Sequence, residues 1–272
     1  MTVLHADLGL ARRLEGVEAA CNREAVYAAA LARPESGATA ASFMGGWAMF
    51  DGPASPITQC FALGLHGAVT AGELDAVEEF FRARGAACNI ELCPHADASL
   101  IALLGERGYR VIEYSNVLWR VLPKDYAAAT PERCSVRRVE VGEAVAFAGV
   151  ILRAFVGDIP SPPGLESLLA GAFVQAKGSE TLAAEVDGQI AGGGTASFVD
   201  GVVNCYGDGT LEKYRGRGIQ SALIATRLAA GARAGMELAM ATTMPGTVSQ
   251  RNYERAGFQV AYTRCKFTRA MG

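Results

Sequence analysis

Tyr214-Arg215-Gly216-Arg217-Gly218-Ile219-Gln220-Ser221 is the stretch from which the fold is read. It stands between a strand pattern that ends near Gly207 and a helical pattern from Ile219 to Ala234 that stops at Gly235. Two glycines in three positions let the backbone turn sharply and let a ligand come close. The unpaired N–H groups of the first helical turn point outward from such a turn, and the helix dipole adds positive charge. Arg215 and Arg217 add two full charges. The segment therefore reads as an anion cradle, against the plainer reading of a glycine-rich turn with two solvated arginines.

Three phosphate-binding patterns compete for it. A P-loop needs Gly-Lys-Ser/Thr, which is missing here. A dinucleotide fingerprint is approached by Gly216, Gly218 and Ser221, with Glu237 about twenty residues on. However, Glu237 opens a strand instead of closing one. The upstream hairpins also do not build a doubly wound parallel sheet. The third pattern, (Gln/Arg)-x-x-Gly-x-(Gly/Ala), is fitted by Arg215 to Ile219, with Gln220 where the last small residue is usual.

A second segment follows thirty residues on, Pro245-Gly246-Thr247-Val248-Ser249-Gln250-Arg251-Asn252-Tyr253-Glu254-Arg255-Ala256-Gly257-Phe258. Together the two segments resemble the GNAT superfamily of acetyl-CoA-dependent acyltransferases, and Ser-x-x-Asn-Tyr-x-x-x-Gly-Phe is similar to its second cofactor motif. The resemblance covers about residues 133–270. It implies a mixed, partly splayed sheet with acetyl-CoA between the fourth and fifth strands, and direct acetyl transfer to an amine without a metal. The backbone of Thr210, Leu211 and Glu212 would pair with the pantetheine arm. The N–H groups from Arg215 through Gly216, Arg217, Gly218, Ile219 and Gln220 to Ser221 would hold the pyrophosphate. Asn252 would touch the pantetheine end, and Tyr253 would protonate the departing thiolate. The family often has Pro where Glu212 stands.

The plain alternative for Tyr253 is a ring packed on the sheet. A Lys-like amine is only about 0.1% neutral at pH 7, so a base is wanted. Asp208, on the face of Thr210 by period two, is the nearest acid, with a simple turn residue as its alternative. Gly192-Gly193-Gly194 reads as a bulge that admits substrate or as a bend.

Outward from these motifs, Asp187-Gly188 and Asp200-Gly201 mark hairpins between three strands. The N-terminal half shows a helix over 6–33, strands near 42–50 and 57–65, and a helix over 71–84. A strand at 88–93, a helix at 98–107 and a strand at 109–121 complete it. Glu106-Arg107-Gly108-Tyr109 parallels Arg255-Ala256-Gly257-Phe258, and Arg120 and Arg269 each lie eleven residues past the aromatic. This repeat predicts two α/β (α+β) domains of one plan, each a mixed sheet flanked by helices, at 1–126 and 133–272. Gly64 to Thr70 carries no arginine, and Leu104 falls where Tyr253 would. The first copy is therefore expected to be degenerate, without an acetyl-CoA site of its own.

The chain has 272 residues, half of them hydrophobic, which excludes a disordered chain. Residues 1–130 carry 10 Lys+Arg against 15 Asp+Glu, whereas the last 72 residues carry 10 against 4. That balance argues against nucleic acid as a partner and for a local anion site near the C-terminus. Met1 to Leu14 has no secretory h-region, no stretch suits a membrane span, and the seven cysteines are scattered. The cytoplasm is the expected compartment. Cys88, Cys93 and His95 fit no usual zinc spacing, and no metal is expected. The expected partner is a small-molecule amine, for which Asp158 in the Gly157–Gly164 loop is a weak cationic preference. A homodimer is left open. The expected activity is N-acetyl transfer, with a non-catalytic acyl-CoA sensor as the alternative.

Overall fold

The computed structural model describes residues 6–128, 133–157, 159 and 164–271. It divides into two compact units, Met1–Val117 with Val260–Gly272, and Leu118–Gln259. Asp158 lies outside the described residues.

Unit 1 begins with helix α1, Leu8–Ala32, whose N-cap Asp7 accepts from Leu10 N. Strands β1 (Thr39–Phe43) and β2 (Gly46–Phe50) form an antiparallel hairpin. The sequence reading joined these residues into one strand. The turn is Met44-Gly45, with φ of 48° and 77°. Met rarely takes positive φ, so its side chain gives no turn signal. Strand β3 (Gln59–Phe61) pairs antiparallel with β2, and β4 (Cys88–Leu92) runs parallel to β3. Helices α2 (Ala71–Arg82) and α3 (Ala98–Glu106) bury Leu74, Val77, Phe81, Leu100 and Leu104 in one core with Cys60, Cys88 and Ile90. Leu104, the counterpart of Tyr253, is thus a core residue.

Strand β5 (Arg110–Val121) starts in unit 1 and ends in unit 2. The last strand of the chain, β11 (Gln259–Arg269), is built into unit 1 from Val260 on, where Cys265–Arg269 pair antiparallel with Leu92–Cys88 of β4. These units depart from the expected division at 1–126 and 133–272. The physical reason is a buried ion cluster. Arg264 on β11 is buried and donates to Glu18 at 2.7 and 3.1 Å and to Glu15 at 3.3 and 3.4 Å, both on α1. Tyr262 O–H also donates to Glu15 at 2.9 Å. Burial pushes the Glu15 carboxyl up to about 7, against the pull of Arg264. The two repeat arginines follow their strands. Arg269 bonds Glu78 in unit 1 at 2.8 Å, and Arg120 bonds the Ala256 carbonyl in unit 2.

In unit 2, β6 (Ser135–Arg138), β7 (Ser179–Val186), β8 (Gln189–Val199) and β9 (Val202–Thr210) form antiparallel neighbours, and β10 (Leu238–Thr243) runs parallel to β9. Both Asp-Gly turns have positive φ at both residues, as a primed hairpin turn demands. Helix α4 (Ala144–Val156) covers one face, where Phe147 and Ile151 meet Ala183, and α5 (Leu165–Ala170) packs on α4 through Ala170. Helices α6 (Ile219–Arg233) and α7 (Val248–Arg255) cover the other, packing Ile224, Leu228 and Tyr253 on Val203, Cys205, Ala239 and Ala241. Among the described residues no helix is long and apolar enough to cross a membrane. The fold is a mixed α/β one with a splayed sheet flanked by helices.

Candidate active site

The splay lies between β9 and β10. Their parallel ladder covers four pairs, from Val202–Leu238 to Cys205–Ala241, after which β9 continues to Thr210 and β10 to Thr243. Beside the opening β9 bulges. The β8–β9 register moves from Gly193–Gly209 to Thr195–Tyr206, so Gly207 and Asp208 stand opposite Gly194. Gly207 takes φ +64°, the left-handed conformation that a bulge uses and that favours glycine.

The bulge re-aims Asp208 toward α6 and α7. One carboxylate oxygen accepts from Arg227 and the other from the Tyr253 hydroxyl. Arg227 is 0% exposed and further donates to the carbonyls of Thr195 and Leu223, each at 3.1 Å. Burial disfavours its charge, but Asp208, Tyr253 and Cys205 together outweigh burial and hold the guanidinium protonated. Tyr253 is 1% exposed, edge-on to Phe258 at 5.0 Å. Burial first, then the negative charge of Asp208, pushes its phenol well above the ordinary range, against Arg227. Tyr253 therefore keeps its proton at neutral pH and is a donor. The buried Cys205 thiol is pushed up to about 11 by burial and is not a nucleophile at pH 7.

This network accounts for the glycine run on β8. A Cβ on Gly194 would stand 2.6 Å from Asp208 Oδ1 and 2.9 Å from Arg227 Cζ. One on Gly193 would meet the Phe147 ring at 2.2 Å, and one on Gly192 the Gly209 carbonyl oxygen at 2.3 Å. The run makes room for the protein's own groups. Gly194→Ala should cost about 1–3 kcal/mol of stability, read by thermal melting, because the crowded atoms are themselves hydrogen-bonded.

The cradle lies at the start of α6. Gly216 and Gly218 take φ of +76° and +78°, and an added Cβ would meet nothing within 4 Å at either. Conformation, not crowding, asks for glycine there. Gly218 is the N-cap, and no side chain caps the helix. In unit 1 the N-terminus of α2 differs: Thr70 Oγ1 accepts from Glu73 N, and the Glu73 carboxylate accepts from Thr70 N at 2.8 Å. Its own carboxylate fills the place of an anion. Arg215 is anchored by donating to the Ala154 and Thr210 carbonyls at 3.1 and 3.3 Å. Arg217 is exposed, its guanidinium 5.5 Å from the centre of the Tyr214 ring.

The structure thus brings Asp208 and Tyr253 together and places Arg215 to Ser221 as a turn and first helical residues. Two expected contacts differ. Leu211 N–H donates to the Ala191 carbonyl at 2.9 Å, and the Thr210 carbonyl accepts from Arg215, so β8 and the cradle already use these groups. Glu212 is exposed and opens a single 3-10 turn, Glu212–Tyr214. Asn252 Nδ2 donates to Gln220 Oε1 at 2.7 Å, and Gln220 Nε2 donates to Ser249 Oγ at 2.9 Å. Gln220, the departure from the family's small residue, ties α6 to α7. The residue that sequence reading missed is Arg227. Its signal was a charge on the apolar stripe Ile219, Leu223, Ile224, Leu228 of α6.

Residues 158–258 match the family model described as acetyltransferase (GNAT) family. The match lies within unit 2 and takes in its splayed strands and its uncapped helix start. The fold of the chain is similar to that of a GCN5-related N-acetyltransferase from Kribbella flavida. The TM-score is 0.65 at 18% identity, covering 91% of this chain and 96% of that one. It is also similar to a tandem GNAT protein from the clavulanic acid biosynthesis pathway, at TM-score 0.59 and 16% identity, covering 99% and 97%. A GCN5-related N-acetyltransferase from Sphaerobacter thermophilus aligns at TM-score 0.57 and 19% identity, covering 78% and 72%. The comparison with curated proteins returned no match.

Proposed function

We propose that the protein is an acetyl-CoA-dependent N-acetyltransferase acting on a primary amine of a small molecule, with its one cofactor site in unit 2. The observation that carries this reading is the Arg227–Asp208–Tyr253 network beside the β9–β10 opening, next to a helix start that no side chain caps. The N–H groups from Gly216 to Ser221 and the side chain of Arg217 hold the pyrophosphate. The acetyl thioester would lie in the opening, beside Tyr253. This fits the residues present, since the one charge on the strands beside the opening, Asp208, is paired with Arg227, and the cradle carries Arg215 and Arg217.

The acceptor, having lost one proton to solvent, attacks the thioester carbonyl. A C–N bond forms and the C–S bond breaks. Tyr253 gives its proton to the leaving sulfur, and the surplus proton of the new ammonium passes through the Asp208 carboxylate back to the phenolate. Both side chains end as they began. Arg227 holds the Asp208 carboxylate in place through its hydrogen bond, and so positions Tyr253.

Thiol release from acetyl-CoA over a panel of amines, amino acids, aminoglycosides and peptides tests the reaction. The expected result is turnover with at least one small amine. Tight acetyl-CoA binding with hydrolysis only, across the whole panel, would favour a non-catalytic sensor. Arg217→Glu places a negative charge where the phosphates lie. It should raise the KM for acetyl-CoA about tenfold or more with kcat within about twofold, because it removes ground-state binding. An unchanged KM would take the pyrophosphate away from this turn.

A further inference from the structure

Thr243 ends β10, two residues beyond the last pair of the β9–β10 ladder. By strand alternation it shares the face of Ala239 and Ala241, which pack in the core with Tyr253. It is 7% exposed, and its hydroxyl oxygen is buried with no hydrogen-bond partner among the described residues. Buried hydroxyls are nearly always bonded, because an unmade bond forfeits the hydration that the group had in the unfolded chain. Valine would fill the same space without that loss. The one group on this wall able to replace it by family pattern, the Asn252 amide, donates instead to Gln220.

We infer that Thr243 is a cofactor-binding residue, whose hydroxyl hydrogen-bonds an amide of the pantetheine arm when acetyl-CoA occupies the β9–β10 opening. This rests on the proposed cofactor site and deepens it. The reacting thioester belongs beside Tyr253 and Asp208, close to where the ladder ends. Two residues further along β10 is roughly 7 Å toward the cradle, which is the run of the arm. A hydroxyl donates and accepts, so it suits either edge of an amide. In this chain the polar contact to the arm lies on the strand, because Gln220 has taken Asn252 into the α6–α7 tie.

The test compares Thr243→Val and Thr243→Ser with the wild-type chain by calorimetry. The probes are acetyl-CoA and adenosine 3′,5′-bisphosphate, which keeps the nucleotide and lacks the arm. Thr243→Val should weaken acetyl-CoA about 5- to 20-fold and leave the bisphosphate within about twofold. Thr243→Ser should bind both as the wild type does. The ligand-free Thr243→Val protein should melt at the wild-type temperature or above, since an orphaned hydroxyl is gone. A purely structural threonine would not give that pairing of weaker binding with equal or higher stability. Wild-type affinity of Thr243→Val for acetyl-CoA would overturn the inference, as would equal weakening of both probes or a lower melting temperature. Failure of the wild-type chain to bind acetyl-CoA at all would overturn the cofactor site itself, a separate outcome.

Discussion

Tyr253→Phe should lower kcat about 100-fold or more, with the KM for acetyl-CoA within about twofold, in a thiol-release assay across pH. The ring can stay edge-on to Phe258, so the packing survives and only the hydroxyl goes. That hydroxyl is buried, holds its proton far into the alkaline range, and points at a fixed carboxylate. A phenol is a weak acid in water. A thiolate departing beside it with water excluded is made more basic by the same burial, which offsets the rise of the phenol. An unchanged kcat at every pH would show that the thiolate takes its proton elsewhere.

Arg227→Met should strongly destabilise the protein. It leaves Asp208, only 10% exposed, as a buried carboxylate without its cation. Breaking one side of such a pair costs about 3–5 kcal/mol, or roughly 6–20 °C in melting temperature for a chain of this size. Asp208→Asn combined with Arg227→Met removes both charges and should recover part of the loss, though not the activity. A single variant that melts within about 2 °C of the wild type would mean that the pair is solvated and is no fixed support for Tyr253.

What the sequence disclosed depended on how local the cause was. The cradle was legible because Gly216 and Gly218 need positive φ and the arginines beside them need no distant partner. The Asp187-Gly188 and Asp200-Gly201 turns were legible for the same reason. The turn at Met44-Gly45 was not, because tertiary structure imposes positive φ on a residue that does not favour it. The place of β11 was hidden too. It depends on Arg264 meeting Glu15 and Glu18 nearly 250 residues away in sequence, and no periodicity in β11 reports that. At the site, Asp208 and Tyr253 could be named by motif, while their joining through Arg227 could not. The glycine run at 192–194 read as space for substrate or as a bend. It is space for Phe147 and the Asp208–Arg227 pair, neighbours that strand pattern alone does not reveal.

The central claim is that one unit of the two binds acetyl-CoA, through the α6 turn. Isothermal titration of the full chain with acetyl-CoA tests it most directly. One molecule bound per chain is expected, with binding weakened about tenfold or more in Arg217→Glu. Two molecules per chain, none, or one whose affinity Arg217→Glu leaves untouched would contradict it.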